Sequence, residues 1–177
     1  MAMIGIRPLL LADWGNVSDI LAASLGASAL EDEPLTWEQW DRRYLPDHRL
    51  VAANREGQVT GWAALEPVSA RRSLNGVGTV SVFVDAGHRG QGFGNQLLAS
   101  LIASSEDAGM WTLQAYVAPQ NSAAMDLFQD LGFRIVGRRQ RFVRLADVWH
   151  DAMLLERRSP VVFPEAVVSL PEIHEAS

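Results

Sequence analysis

One stretch limits what this chain can fold into more than any other. Val80-Ser81-Val82-Phe83-Val84 runs through Asp85-Ala86-Gly87-His88 into Arg89-Gly90-Gln91-Gly92-Phe93-Gly94-Asn95-Gln96-Leu97-Leu98. The first five residues have the β-branched and aromatic content of a strand. Phe93, Leu97, Leu98, Leu101 and Ile102 recur at helical spacing. The segment between them is too rich in glycine for helix interior. A strand that passes through such a turn into a helix aims unpaired N–H groups and the positive end of the helix dipole at whatever lies outside. It also lets a ligand come close to the backbone. The stretch therefore reads as a phosphate cradle. The spacing is not that of a dinucleotide fingerprint, whose third glycine would fall at Leu97, and the chain has no lysine, so it is not a P-loop. The plainer alternative is a glycine-rich turn that binds nothing.

Composition narrows the classes. The 177 residues fit one domain, and 48% hydrophobic with 20% charged residues is ordinary for a chain with a substantial core. A net charge of −6 gives nucleic-acid binding no electrostatic support. The chain has no cysteine, which removes disulfides, cysteine metal ligands and a cysteine nucleophile, and no metal site is expected. No signal peptide is read at the start, and no apolar run approaches membrane-spanning length, so a cytoplasmic protein without a membrane partner is expected.

Around the cradle the elements follow in order. Ile4 to Leu9 holds Pro8 and reads as an edge strand. Asp13 is expected to cap a helix carrying Trp14, Val17, Ile20, Leu21 and Leu25. Thr36 is expected to cap a second, through about Tyr44, with Trp37, Trp40 and Tyr44 on one face as core. Leu50–Asn54 and Val59–Leu65 read as a hairpin, and Pro67 to Gly78 as a loop. The helix after the cradle runs to about Asp107. Trp111–Val117 is a strand, Asn121 or Ser122 caps a short helix ending at Gly132, and strands are expected at 133–136, 142–143 and 148–155. This order predicts an α/β (α+β) fold with a mixed, largely antiparallel central sheet flanked by helices.

Arg89-Gly90-x-Gly92-x-Gly94 before two leucines resembles the acyl-CoA loop of the GNAT acetyltransferases. Asn121-Ser122-Ala123-Ala124, then Phe128 and Gly132-Phe133, resembles the same family's later motif in its expected place. The resemblance covers about residues 4–156. Glu33-Pro34, Thr36-Trp37-Glu38-Gln39-Trp40, Arg71 and Trp149-His150-Asp151 look like its phosphinothricin acetyltransferase subgroup, and 154–159 also resembles the arsinothricin N-acetyltransferases. The resemblance implies a GNAT domain over 1–158 with an extended, proline-bearing tail over 159–177. It implies direct attack of a small amino-acid-like, phosphinothricin-like amine on the thioester of acetyl-CoA, in a homodimer. The backbone of Val82, Phe83 and Val84 would pair with the pantetheine arm. Arg89, Gly90, Gln91, Gly92, Phe93, Gly94 and Asn95 would hold the pyrophosphate, Asn121 the pantetheine, and Ala124 and Phe128 the sulfur end. Arg71 would meet the substrate's acidic group.

The departures from that pattern concern proton transfer. The subgroup's glutamate six positions before Asp85 is Thr79 here, its last-hairpin histidine aligns with Ala146, and the titratable residue of the short helix is Phe128. Leu30 and Leu74 replace aromatics of the substrate pocket. Thr79 can hold a water but is no base near neutral pH. His150 is the nearest remaining imidazole, with packing against the last hairpin as its plainer role. An acyl-CoA-binding module with little turnover is the competing reading. A peptide acetyltransferase using the acidic run Glu31-Asp32-Glu33 is a third.

Overall fold

Pro8 lacks the N–H that an interior strand needs, and the sheet begins with it. The computed structural model describes residues 5–26, 31 and 33–162. In it β1 (Gly5–Pro8) lies at the margin of a seven-stranded sheet and pairs antiparallel with β2 (Arg49–Ala53). β3 (Val59–Pro67), β4 (Val77–Val84), β5 (Thr112–Val117), β6 (Arg134–Leu145) and β7 (Val148–Arg158) complete it, in the order β1-β2-β3-β4-β5-β7-β6. Every pairing is antiparallel except β4 with β5, which needs a crossover. The crossover is α3 (Phe93–Asp107).

Both faces of the central strands are covered, so β3 reads as an almost unbroken apolar run, with its residues dealt alternately to two cores. Ala63 and Leu65 pack with Val80 and Ala115 under Leu97, Leu98 and Leu101 of α3. Trp62 and Ala64 face the other way, toward Val17 of α1 (Trp14–Ala22) and Trp40 of α2 (Trp37–Arg43). The predicted aromatic stripe of α2 is core. Trp40 is fully buried, stacks on Trp37 with centroids 5.7 Å apart, and meets Trp62 edge-on at 5.6 Å. Thr36 caps α2 as expected: its Oγ1 accepts from the Gln39 amide, and Gln39 Oε1 accepts from the Thr36 amide at 2.8 Å.

Three sequence expectations are corrected. Asp13 does not cap α1 with its side chain. Its carboxylate instead accepts from the Leu10 amide at 2.8 Å and takes both Arg7 Nη atoms at 2.7 Å, so β1 is tied to the turn before the helix. β4 starts at Val77, three residues before the strand read from composition. Gly78, expected in the loop, lies in β4, where a Cβ would sit 2.8 Å from Met110 Cε; Gly76 is in the turn before it, where a Cβ would sit 2.0 Å from the Trp111 ring. The two strands expected at 133–136 and 142–143 are one, β6, whose pairing with β7 slips between Ile135 and Gly137 and again between Arg139 and Val143. Arg141 there has φ 50°, and such irregularities break the period-2 pattern on an edge strand.

After β7 the chain is held against the end of α3. The Ser159 amide donates to Trp111 O at 3.0 Å, and its hydroxyl donates to Glu106 at 2.8 Å. The tail residues expected to dock, Phe163, Val167 and Val168, lie outside the described residues, as does Leu30.

Candidate active site

β4 and β5 pair only over Val77–Thr79 and Thr112–Gln114. Past that point β4 stays on β3 as far as Val84, while β5 stays on β7 as far as Val117. The two strands diverge, and among the described residues the β5-facing edge of Val80–Val84 has no ladder partner. Backbone N–H and C=O groups on such an edge can bond an extended ligand as an added strand would.

At the outer end of this cleft lies a cavity of about 790 Å³, bounded by Val82, Phe83, Val84, the glycine turn and the start of α4 (Ser122–Asp130). Gly90 and Gly92 have φ of 71° and 89°, in the left-handed region that glycine occupies without strain. The first hydrogen bond inside α3 runs from the Gln96 amide to Gly92 O at 3.1 Å, so the amides of Phe93, Gly94 and Asn95 precede the helical ladder. Asp85 shapes the turn. Its carboxylate accepts from the Gly87 amide at 3.1 Å and lies 2.7 Å from His88 Nδ1, and that contact holds its carboxyl below the usual range. A Cβ on Gly94 would lie 3.3 Å from Leu127, so this glycine sets how closely α3 and α4 approach.

Val82, Phe83, Asn121 and Ala124 also border a second, inner cavity of about 120 Å³, so the two lie side by side. A single water needs only about 10–15 Å³ measured this way. The inner cavity mixes apolar walls such as Leu21, Leu35 and Phe128 with a cluster of polar side chains that come from separate elements. Tyr44, at the end of α2, has its hydroxyl 3.2 Å from Ser81 Oγ. Burial pushes the Tyr44 phenol up to about 12. Arg43 is paired with Glu31. Glu66 sits on β3 directly opposite Thr79. Burial pushes its carboxyl up, with Arg43 opposing and Glu31 adding to the rise.

The structure brings most of the sequence-predicted residues to this cleft. Val82, Phe83, Val84, Arg89, Gly90, Gly92, Phe93, Gly94, Asn95, Asn121 and Ala124 border the outer cavity, and Thr79 and Phe128 border the inner one. Asn121 Oδ1 caps α4 through the Ala124 amide at 3.1 Å. The Phe93 side chain is buried in the core, which leaves its backbone to the cavity. Other residues fall elsewhere. Gln91 lines neither cavity, and its amide turns back to Gly87 O at 3.1 Å. Arg71 and Leu74 are exposed on the turn before β4 and line neither cavity. His150 pairs with Val143 on the far part of the β6–β7 hairpin, away from both. Thr79 Oγ1 accepts from Gln114 Nε2 at 3.0 Å. Of the acidic run, Glu31 pairs with Arg43 and lines the inner cavity, Glu33 is exposed, and Asp32 lies outside the described residues. Glu66, Tyr44, Arg43 and Ser81 are not among the site residues expected from sequence, where Tyr44 is read only as core and Ser81 only as part of the strand.

The model of the acetyltransferase (GNAT) family matches residues 14–133. The L-amino acid N-acyltransferase of Escherichia coli K12 is 27% identical over 140 residues, covering 77% of this chain and 78% of that protein. The phosphinothricin N-acetyltransferase of Streptomyces viridochromogenes is 28% identical over 159 residues, 87% of each chain. Among solved structures, a phosphinothricin acetyltransferase from Sinorhizobium meliloti, in complex with acetyl-CoA, superposes with a TM-score of 0.78 at 20% identity, over 93% of this chain and 97% of that one.

Proposed function

Because the chain belongs to the acetyltransferase (GNAT) family and is an acetyl-CoA-dependent N-acetyltransferase, we propose that its acceptor is the amino group of a small amino-acid-like compound, reached at the inner cavity. The observation that carries this reading is the divergence of β4 from β5, which leaves a free strand edge running between the glycine turn and a small chamber that holds several polar side chains. The fit to the acyl donor rests on that edge and on the turn. The backbone of Val82 to Val84 takes the pantetheine amides. The amides from Gly90 to Asn95, with Arg89, hold the diphosphate at the start of α3. Asn121 and Ala124 flank the arm, and Phe128 closes the sulfur end with an apolar wall.

The donor supplies an acetyl group activated as a thioester. A backbone N–H on the β4 edge stabilises developing negative charge on the carbonyl oxygen, and the narrow inner cavity orients the amine. The relatives' named acceptors, an L-amino acid and phosphinothricin, support the amino-acid-like class. The exposed Arg71 does not support a cation for an acidic side group. A homodimer agrees with the exposed Val148 and Trp149 on the β6–β7 hairpin, 56% and 58% accessible.

The deciding measurement is thiol release from acetyl-CoA against amino acids, phosphinothricin-like compounds, polyamines and peptides. Turnover is expected with a small amino acid or its analogue. Turnover confined to peptides overturns the substrate class. Thermal stabilisation by acetyl-CoA with no release across the panel returns the binding-module reading.

A further inference from the structure

The transfer needs a group that takes a proton from the acceptor's ammonium, and the inner cavity restricts the choice. The Thr79 hydroxyl accepts from Gln114 and is not basic near neutral pH. The Tyr44 phenol, raised to about 12, keeps its proton. Tyr116 accepts from Arg139 Nη1 at 3.0 Å, and the Glu31 carboxylate is held by Arg43. Glu66 differs from all of these. It is half-buried and lines the same chamber, and among the described residues no donor lies within hydrogen-bond distance of its carboxylate.

Position favours it too. Directly opposed residues of antiparallel strands have Cβ atoms about 4.5–5.5 Å apart. Glu66 therefore stands next to Thr79, on the side of the sheet where Trp62 and Ala64 face α1 and α2. Ser81 lies two residues further along β4, about 7 Å at the usual strand rise, and Val82 follows at the proposed sulfur end. A glutamate side chain with one intervening water covers that span.

Resting on the transferase reading above, we propose that Glu66 binds the acceptor's ammonium group and accepts its proton, supplying from β3 a carboxylate that β4 lacks at Thr79. The ammonium gives one proton to Glu66, which passes it to solvent. The freed nitrogen lone pair attacks the thioester carbonyl carbon, a C–N bond forms and the C–S bond breaks. The second proton leaves the nitrogen for the departing thiolate, so the products are the amide and the free thiol. With Glu31 and Arg43 already paired, the ionised Glu66 leaves the chamber with one net negative charge, which favours a cationic amine over an acidic one.

The experiment compares the wild-type chain with Glu66→Gln and Glu66→Asp, using the best amine of the panel. The groups facing Glu66 are Arg43 and Tyr44 from α2 and its end, Glu31, Thr79 and Ser81 from β4, and Tyr116 from β5. Burial favours the protonated carboxyl, so the acid limb of kcat/KM is expected above the ordinary carboxylate range, with activity lost as pH falls through it. Glu66→Gln is expected to lower kcat by roughly 10²–10⁴-fold and to abolish that limb. Coenzyme A affinity, measured by calorimetry, is expected to stay unchanged, and Glu66→Asp to fall between the two. A Glu66→Gln chain that turns over like wild type with the same limb overturns the role. If Glu66→Gln does not fold, the wild type with two amines of different basicity decides. A limb fixed in pH supports Glu66, and a limb that follows each amine's own pKa overturns it. A wild-type chain that acetylates nothing overturns the transferase reading instead.

Discussion

The two ends of the cleft are made of different materials. The outer end is built mainly on local backbone: a free strand edge, two left-handed glycines and the amides that open α3 fall within residues 82–95, with the start of α4 across from them. The inner end is side chains. Tyr44 comes from the end of α2, Glu66 from β3, Thr79 and Ser81 from β4, and Tyr116 from β5. A backbone site is set by local conformation, so it tolerates changes of side chain and fails when the conformation becomes inaccessible. A side-chain site is set by the register of distant strands, so each member can be exchanged while the frame stands. On the proposed reading, that contrast lets a chain keep its acyl-donor cradle while rearranging the groups around the acceptor.

The comparison breaks most clearly at Gly92. Valine there must take φ near 89°, which a β-branched residue rarely adopts, at a cost of about 1–3 kcal/mol. Nothing lies within 4 Å of the added Cβ, so the penalty is conformational rather than steric. Gly92→Val is expected to weaken coenzyme A binding about tenfold or more in calorimetry, with a lower melting temperature. The acceptor KM, measured at saturating donor, should hold. Unchanged coenzyme A affinity would show that the turn is not the cradle.

A smaller effect is expected at the other end. Tyr44→Phe removes a hydroxyl 3.2 Å from Ser81 Oγ and keeps the ring that packs on Trp40 at 4.8 Å. A net hydrogen bond is worth about 0.5–1.5 kcal/mol, so the acceptor KM should change by a few-fold up to about tenfold. Coenzyme A affinity should not move. Since the phenol stays protonated to about 12, the change should be the same at pH 6 and pH 9. A change in donor affinity instead would mean that the two ends are not separable.

The same contrast decides what could be read from the sequence. The glycine turn is contiguous, so glycine spacing and helical periodicity placed the strand, the turn and the helix start that border the outer cavity, together with the capping Asn121. The acceptor end is not contiguous. Alternation along Trp62-Ala-Ala-Leu-Glu66 is enough to put Glu66 on the face of Trp62, but not to say that this face borders a chamber. That depends on the pairing of Glu66 with Thr79 and on the divergence of β5, neither of which leaves a local pattern. His150 and Arg71 were singled out by residue type and resemblance. Their distance from the cleft follows from the reach of the β6–β7 hairpin and from an exposed turn. Gly78 misled in the opposite direction, because a strand glycine that makes room for Met110 looks the same in sequence as one that makes a turn.

The smallest effect tests whether the outer end depends on charge as well as on backbone. Asp85→Asn keeps an acceptor for the Gly87 amide but removes the charge beside His88. The Asp85 side chain is 44% accessible, so solvent screens the pair and the loss should be below about 1 kcal/mol at low salt and less at physiological salt. The sign follows from the direction of the shift. The folded-state pKa of Asp85 lies below its ordinary value, chiefly because of the hydrogen bond with His88. Its contribution is therefore present above the usual aspartate range and disappears as pH falls through the lowered value. Wild type and Asp85→Asn should differ slightly in melting temperature near neutral pH and converge in acid, with coenzyme A affinity almost unchanged at both. A gap that instead widens in acid, or a large loss of coenzyme A binding, would make the turn a charge-dependent site and remove the distinction between the two ends of the cleft.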